Sequence, residues 1–66
     1  MTYRLVMRQL DAEEEIEASR LEDCPALVRA FILNNDLLPD DWIAGEVYQG
    51  DRLLACLAFN GKPIEA

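Results

Sequence analysis

The chain has 66 residues, of which 13 are acidic and 6 are basic, so its net charge is −7, and it contains no histidine. Nucleic acids and anionic membranes are bound through basic surfaces, and the acid excess argues against direct binding to either. A hydrophobic fraction of 52% suffices for a packed core. We therefore expect a single folded domain over residues 1–66 rather than a disordered chain.

The first two elements read as an antiparallel hairpin. Residues 2–10 and 13–18 each alternate with a period of two, which is typical of strands with one buried face. The inward side chains are Tyr3, Leu5, Met7, Ile16 and Ala18, and the outward ones include Arg4, Val6, Arg8, Glu13, Glu15 and Glu17. Asp11 and Ala12 are the predicted turn, and such a two-residue loop would place Arg8 opposite Glu15.

A helix is predicted over residues 24–35. Ser19 and Glu22 have the spacing of a capping box, but Pro25 would clash in a helix that began at Arg20. Asp23 is the better cap, since it places Pro25 in the first turn. The side chains expected to face the sheet are Cys24, Leu27, Val28 and Phe31, with Ile32 flanking them.

The second half of the chain predicts another hairpin after a loop at 37–41. Strands are expected at 42–48 and 52–59, joined by a turn at 49–51, and the apolar run 52–59 favours a central strand. Asn60 and Gly61 predict a type I′ turn before a short strand at 62–65. The predicted fold class is α+β: an antiparallel sheet of four to five strands with one helix packed on one face, in the order ββαββ(β).

Catalytic and metal-binding signatures are missing from the sequence. Without histidine, most general-base, triad and zinc arrangements are excluded, and the two cysteines lack further ligands. The three glycines form no phosphate-binding loop. Paired carboxylates could in principle hydrolyse a substrate, but they require a concave pocket that so small a domain has little volume to form. We expect no enzyme activity, no cofactor and no metal.

The expected location is the cytoplasm. Residues 1–10 contain Arg4 and Arg8 and lack the continuous apolar run of a signal peptide. No stretch approaches the roughly 18 apolar residues that a membrane span requires. In a reducing compartment, Cys24 and Cys56 are expected to be free thiols that pack as small apolar side chains.

The acids form two candidate binding surfaces, and each has an alternative explanation. Outward glutamates of residues 13–17 either form a salt-bridged sheet face with Arg4 and Arg8 or offer a negative surface to a partner. The acids of residues 36–41 surround apolar side chains that are either an interface or part of the core. The candidate partner-binding residues are Glu13, Glu14, Glu15, Glu17, Asp36, Asp40, Asp41, Trp42, Glu46 and Asp51, with Leu37 and Leu38 beside Trp42.

Two segments resemble a known group of proteins. EIEASRLEDCPALVRAF is a strand, a serine cap and a short amphipathic helix, and GEVYQGDRLLACLAFNGKPIEA is a hairpin that ends in an Asn-Gly-Lys turn. The pattern resembles small ββαββ proteins of phages and mobile elements, including type I anti-CRISPR proteins and among them the type I-C inhibitors. Pro25 departs from the helix start of such proteins.

The resemblance implies a non-enzymatic inhibitor that binds a type I CRISPR surveillance complex and blocks its binding to target DNA. For an acidic member, the implied route is a DNA-mimicking surface that covers Lys/Arg-rich protein. The implied partner is the Cas8-type large subunit or the Cas7-type backbone, and the inhibitor is a monomer or homodimer. The alternative is a small acidic adaptor or regulatory subunit of phage origin with a partner unrelated to CRISPR.

Overall fold

Four strands and one helix build the domain in the computed structural model, which describes residues 2–64. The elements are β1 (Tyr3–Gln9), β2 (Glu13–Ala18), α1 (Cys24–Asn34), β3 (Trp42–Gln49) and β4 (Arg52–Leu57). All neighbouring strands are antiparallel, in the order β2-β1-β3-β4. The predicted α+β class and the ββαββ order are confirmed.

The register of the first hairpin differs from the prediction by two residues. Arg8 lies opposite Glu13 and not Glu15, because the turn lies one residue earlier than predicted, with Leu10 and Asp11 at its centre. This turn is closed by the N–H of Gln9, which donates to the carbonyl of Ala12 at 2.9 Å. A shift of two preserves the alternation of a strand, so the two faces of β1 and β2 are as predicted.

The fourth strand is an edge strand, and its prediction as a central strand is wrong. The chain after β4 folds back along it, and the N–H of Ile64 donates to the carbonyl of Cys56 at 2.7 Å. Of the predicted fifth strand, the described part contains one isolated bridge between Leu57 and Pro63, and Glu65 lies outside the described residues. The returning segment covers part of the edge that would otherwise be open.

The turn at Asn60 and Gly61 is not of type I′. That type requires a positive φ at both central residues, and here only Gly61 has one, at 84°. The N–H of Gly61 instead donates to the carbonyl of Ala58 at 2.8 Å. A Cβ at position 61 would lie 2.8 Å from the carbonyl oxygen of Pro25, so this glycine also lets the turn approach α1 closely.

The helix begins where the sequence predicts, but by a different mechanism. Asp23 occupies the N-cap position with Pro25 in the first turn, yet its carboxylate makes no capping hydrogen bond. A 3₁₀ turn at Leu21–Asp23 precedes it, and no capping box forms from Ser19. The fixed φ of proline and this turn therefore set the start of α1.

A Schellman motif ends α1. Asp36 adopts a left-handed conformation with φ 51°, and its N–H donates to the carbonyl of Leu33 at 3.3 Å. The N–H of Leu37 donates to the carbonyl of Ile32 at 3.1 Å. These bonds satisfy carbonyls at the helix end and turn Leu37 back toward the core.

The core lies between α1 and one face of the sheet. The helix contributes Cys24, Val28 and Ile32, all buried, so Ile32 is more central than predicted, while Leu27 and Phe31 are half-buried. A Cβ at Gly45 would lie 2.9 Å from Cγ2 of Val28. The absence of a side chain at position 45 thus allows the helix to pack closely on β3.

Candidate functional site

The sheet face opposite α1 carries most of the charge of the strands, and we call it the open face. Its members are Arg4, Val6 and Arg8 on β1, Glu13, Glu15 and Glu17 on β2, and Ala44, Glu46 and Tyr48 on β3. Two bases thus lie between four acids. Strand alternation places these side chains together, because residues paired across antiparallel strands share a face.

Arg8 is the centre of this face. Its guanidinium forms salt bridges with Glu13 on β2 and with Glu46 on β3. The hydroxyl of Tyr48 also donates to Glu46, at 2.9 Å. The hydrogen bond from Arg8 is the main reason that the pKa of Glu46 lies below its usual value, and the same bond raises the pKa of Arg8. One base therefore joins three strands and compensates two carboxylates.

Arg4 makes a second, looser group on the open face. Its Nε lies 3.8 Å from Oε1 of Glu15, and its guanidinium carbon lies 4.8 Å from the centre of the Tyr48 ring. The latter is the geometry of a cation–π contact. Glu17 lies opposite Arg4 in the strand register. It has no salt bridge within residues 2–64 and is the acid of this face without a paired base.

Two apolar side chains of the open face lie beside ion-paired residues in the strand register. Val6 is only 4% exposed and Ala44 only 9%, although both point away from α1. Long arginine and glutamate stems can shield such residues while their charged ends stay in water. The salt-bridged sheet face, one of the two explanations of these glutamates, accordingly describes Glu13, Glu15 and Glu46.

A second acidic region forms where the first turn meets the loop before β3, and we call it the acidic end. The N–H of Leu10 donates to the carbonyl of Asp41 at 3.0 Å and joins the two segments. The acids of this region are Asp11, Glu13, Glu14, Asp40 and Asp41. Asp11, Glu14 and Asp40 are exposed, and none of them forms a salt bridge with another residue of 2–64.

Asp11 and Asp41 differ from the roles that the sequence predicts. The sequence predicts Asp11 only as part of a turn, and its membership of the acidic end follows from the tertiary bond between Leu10 and Asp41. The carboxylate of Asp41 accepts the N–H of Leu38 at 3.1 Å, at the start of the 3₁₀ turn Pro39–Asp41. Asp41 thus has a local structural role, as an N-cap interaction does.

Three other candidate residues are not part of the acidic end. Trp42 is a core residue, 9% exposed, and its Nε1 donates to the carbonyl of Leu57 at 3.3 Å. Its burial leaves little side-chain surface for a partner. Asp51 belongs to the turn between β3 and β4, and Asp36 ends α1. The ten candidates therefore do not form one surface.

An apolar groove of about 620 Å³ lies beside Asp36. Its lining residues are Arg29, Ile32 and Leu33 from α1, Asp36, Leu37 and Leu38 from the following loop, and Phe59 and Asn60 from the last turn. Leu33 and Leu38 are 76% and 65% exposed, whereas Leu37 is half-buried. The sequence leaves open whether Leu37, Leu38 and Trp42 belong to the core or to an interface. Trp42 belongs to the core, Leu38 is exposed on the surface, and Leu37 is half-buried.

The cysteines are both free thiols, as predicted. Cys24 is the buried first residue of α1, and burial raises the pKa of its thiol. Cys56 is half-buried and lies opposite Glu46. Within residues 2–64, no cluster of three or more Cys, Asp or Glu side chains is arranged to hold a metal ion, and no helix has the length and apolarity to cross a membrane.

Comparisons with known proteins give no independent assignment. No protein-family model matches the chain, and neither the curated proteins nor the solved structures contain a significant match.

Proposed function

We propose that this protein is a non-enzymatic inhibitor that acts in the cytoplasm of a host cell by binding a type I CRISPR surveillance complex. In this proposal the acidic end contacts a Lys/Arg-rich surface of the Cas8-type large subunit or the Cas7-type backbone. This contact covers the Lys/Arg-rich surface to which target DNA would otherwise bind. The type of partner rests on the resemblance of the chain to anti-CRISPR proteins, and the contact surface rests on the geometry described above.

The observation that supports the proposal most is the group of unpaired acids at the acidic end. Asp11, Glu14 and Asp40 are exposed, lie on segments joined by the bond from Leu10 to Asp41, and lack salt bridges within the described chain. Unpaired carboxylates retain their full charge toward a partner. They can steer association with a basic surface and compete with phosphates for it.

The open face has a smaller part in this proposal. Glu13, Glu15 and Glu46 are engaged by Arg8 and Arg4, so a basic partner would have to compete with those arginines. Glu17 adds one unpaired charge on the same strand as Glu14. The proposed DNA-mimicking surface therefore consists of the acidic end and β2, and it does not include Trp42 or Asp51.

A charge-reversal variant tests the contact surface. Glu14→Lys with Asp40→Lys removes two exposed acids without breaking an ion pair of the described residues. The tagged protein is used to capture partners from a lysate of a host that contains a type I system, followed by mass spectrometry. Wild-type protein should recover Cas subunits. The variant should recover about tenfold less, because complementary charges speed association and close charge pairs contribute to affinity.

The matched control has the same charge change elsewhere. Asp23→Lys with Asp51→Lys alters two exposed acids outside the acidic end and should recover Cas subunits as the wild type does. Equal loss in both variants would show that only net charge matters. Capture of a host protein unrelated to CRISPR, without Cas subunits, would establish the alternative of an acidic adaptor or regulatory subunit.

A further inference from the structure

The apolar groove is open to solvent on the helix side of the molecule. Its apolar lining consists of Ile32, Leu33, Leu37, Leu38 and Phe59. Leu33 and Leu38, among the most exposed large apolar side chains of the described residues, both belong to it. Apolar side chains that gather in a concavity are typical of a binding site, whereas single exposed leucines are common on any surface.

The lining elements restrict the backbone of an occupant. They are the last turns of α1, the loop after it and the turn at Phe59–Asn60, and none of these elements of residues 2–64 is a β-strand. A bound segment therefore finds no strand edge with which to pair its own backbone. A helix satisfies its backbone hydrogen bonds internally and needs only an apolar stripe to enter such a groove.

The charges around the groove indicate the polar face of that helix. Leu37 lines the groove and also borders a smaller pocket that contains Asp11 and Asp41. Asp36 is itself part of the lining, and Arg29 is the one base among the described lining residues. The groove thus adjoins the acidic end, where Lys or Arg side chains are favoured and acids are repelled.

We infer that the apolar groove binds a basic amphipathic helix of a partner protein, which inserts apolar side chains between Leu33, Leu38 and Phe59 and directs its Lys/Arg side chains to the acidic end. The inference rests on the proposed function because it requires a partner protein with a basic surface. It adds the apolar anchor that an acidic surface alone lacks, since buried apolar contacts supply much of the affinity at interfaces.

The test uses three synthetic peptides of about 14 residues, enough for about four helical turns. One is an amphipathic Leu/Lys helix, the second replaces every lysine with glutamate, and the third has the composition of the first without an amphipathic pattern. Binding is measured by ¹H–¹⁵N NMR titration of the wild-type protein. The amphipathic Leu/Lys peptide should bind and shift the amides of Leu33, Leu38 and Phe59, while the other two should bind at least about tenfold more weakly.

A groove variant and a matched control complete the test. Leu33→Ser with Leu38→Ser changes two exposed side chains and should weaken the Leu/Lys peptide about tenfold. Leu53→Ser changes an exposed leucine of β4 that lies outside both the groove and the acidic end, 48% exposed, and should leave the affinity unchanged. Circular dichroism checks that each variant is folded. Absence of binding, equal binding of the control peptides, or shifts confined to β2 would overturn the inference.

The outcome is separable from that of the proposed function. If the peptide does not enter the groove but Glu14→Lys with Asp40→Lys still abolishes capture of Cas subunits, the groove inference is wrong and the proposed function stands. If the peptide binds the groove and no Cas subunit is captured, the surface is a helix-binding site of a different inhibitor or adaptor, and the CRISPR partner is wrong.

Discussion

The two faces of the sheet bury apolar side chains in different ways. On the covered face, Leu5 and Val47 are completely buried against α1 by other apolar residues. On the open face, Val6 is nearly as buried, yet it lies among Arg8, Glu46 and their neighbours. Similar burial therefore arises from close packing on one side and from charged side chains on the other.

The comparison separates stability from function. Close packing excludes water and leaves gaps when a side chain is shortened, so the covered face dominates the free energy of unfolding. Exposed ion pairs are weaker and respond to salt and pH. The charged groups of the open face and the acidic end can thus be changed to test binding while the domain stays folded.

The largest expected effect is on the covered face. Leu5→Ala should lower the free energy of unfolding by about 2–5 kcal/mol, which for a domain of this size approaches the total stability. Leu10→Ala, at an exposed position, is the control and should change stability by less than about 0.5 kcal/mol. Urea denaturation followed by circular dichroism measures both. Similar costs at the two positions would contradict the placement of the core.

Addition of a methyl group to the covered face should have the next largest effect. Gly45→Ala places a Cβ 2.9 Å from Cγ2 of Val28 and 3.3 Å from the Trp42 ring, and overpacking of this kind costs about 1–3 kcal/mol. Val28→Ala removes the closer methyl group. The double variant should therefore lose less stability than the sum of the two single variants, and exact additivity would show that α1 does not approach β3 so closely.

A pair of identical substitutions compares the two faces directly. Val47→Ala leaves a gap inside the packed core, whereas at Val6→Ala the flexible side chains of the open face and water can fill the space. Loss of two buried methyl groups costs about 1–3 kcal/mol in a rigid site. Thermal and urea denaturation should place Val47→Ala at the upper part of this range and Val6→Ala below it. The reverse order would mean that the open face is packed as rigidly as the core.

The smallest effect concerns the ion pairs of Arg8 and appears in the pH dependence. Because Glu46 has a lowered pKa in the folded protein, its contribution to stability is present above its ordinary pKa of 4.5 and is lost as the pH falls through the folded value. In Arg8→Met, the acid-induced loss of stability that arises from Glu46 should be smaller, so stability should fall less steeply as the pH is lowered. Arg52→Met, which has no salt bridge in the described chain, is the control. Parallel pH profiles for Arg8→Met and wild type would contradict the assigned role.

The sequence predicts the faces of the strands better than their partners. Alternation of apolar and polar residues assigns Leu5 and Ile16 to one face and Glu15 to the other. It does not fix the position of a turn to within one residue, and the predicted β1–β2 register is wrong for that reason. The partnership of Arg8 with Glu46 depends on β1 lying beside β3, a non-local arrangement that no local pattern contains.

The candidate site was only partly foreseeable. The acidity of residues 13–17 and 36–41 is visible in the sequence, but the division into paired and unpaired acids is not, since it depends on which strands lie beside Arg4 and Arg8 of β1. Asp11 joins the acidic end through the backbone bond between Leu10 and Asp41. The apolar groove needs α1, its following loop and the last turn to meet, and only the tertiary fold brings them together.

The most direct test of the central claim is target-DNA binding by a purified type I surveillance complex, measured by fluorescence anisotropy with increasing amounts of this protein. Wild-type protein should prevent DNA binding, and so should the control double variant, Asp23→Lys with Asp51→Lys. The inhibition should weaken as the salt concentration is raised, because it depends on charge. Glu14→Lys with Asp40→Lys should inhibit about tenfold less. Full inhibition by that variant would contradict the claim that the acidic end occupies a DNA-binding surface, and so would the absence of inhibition by wild-type protein.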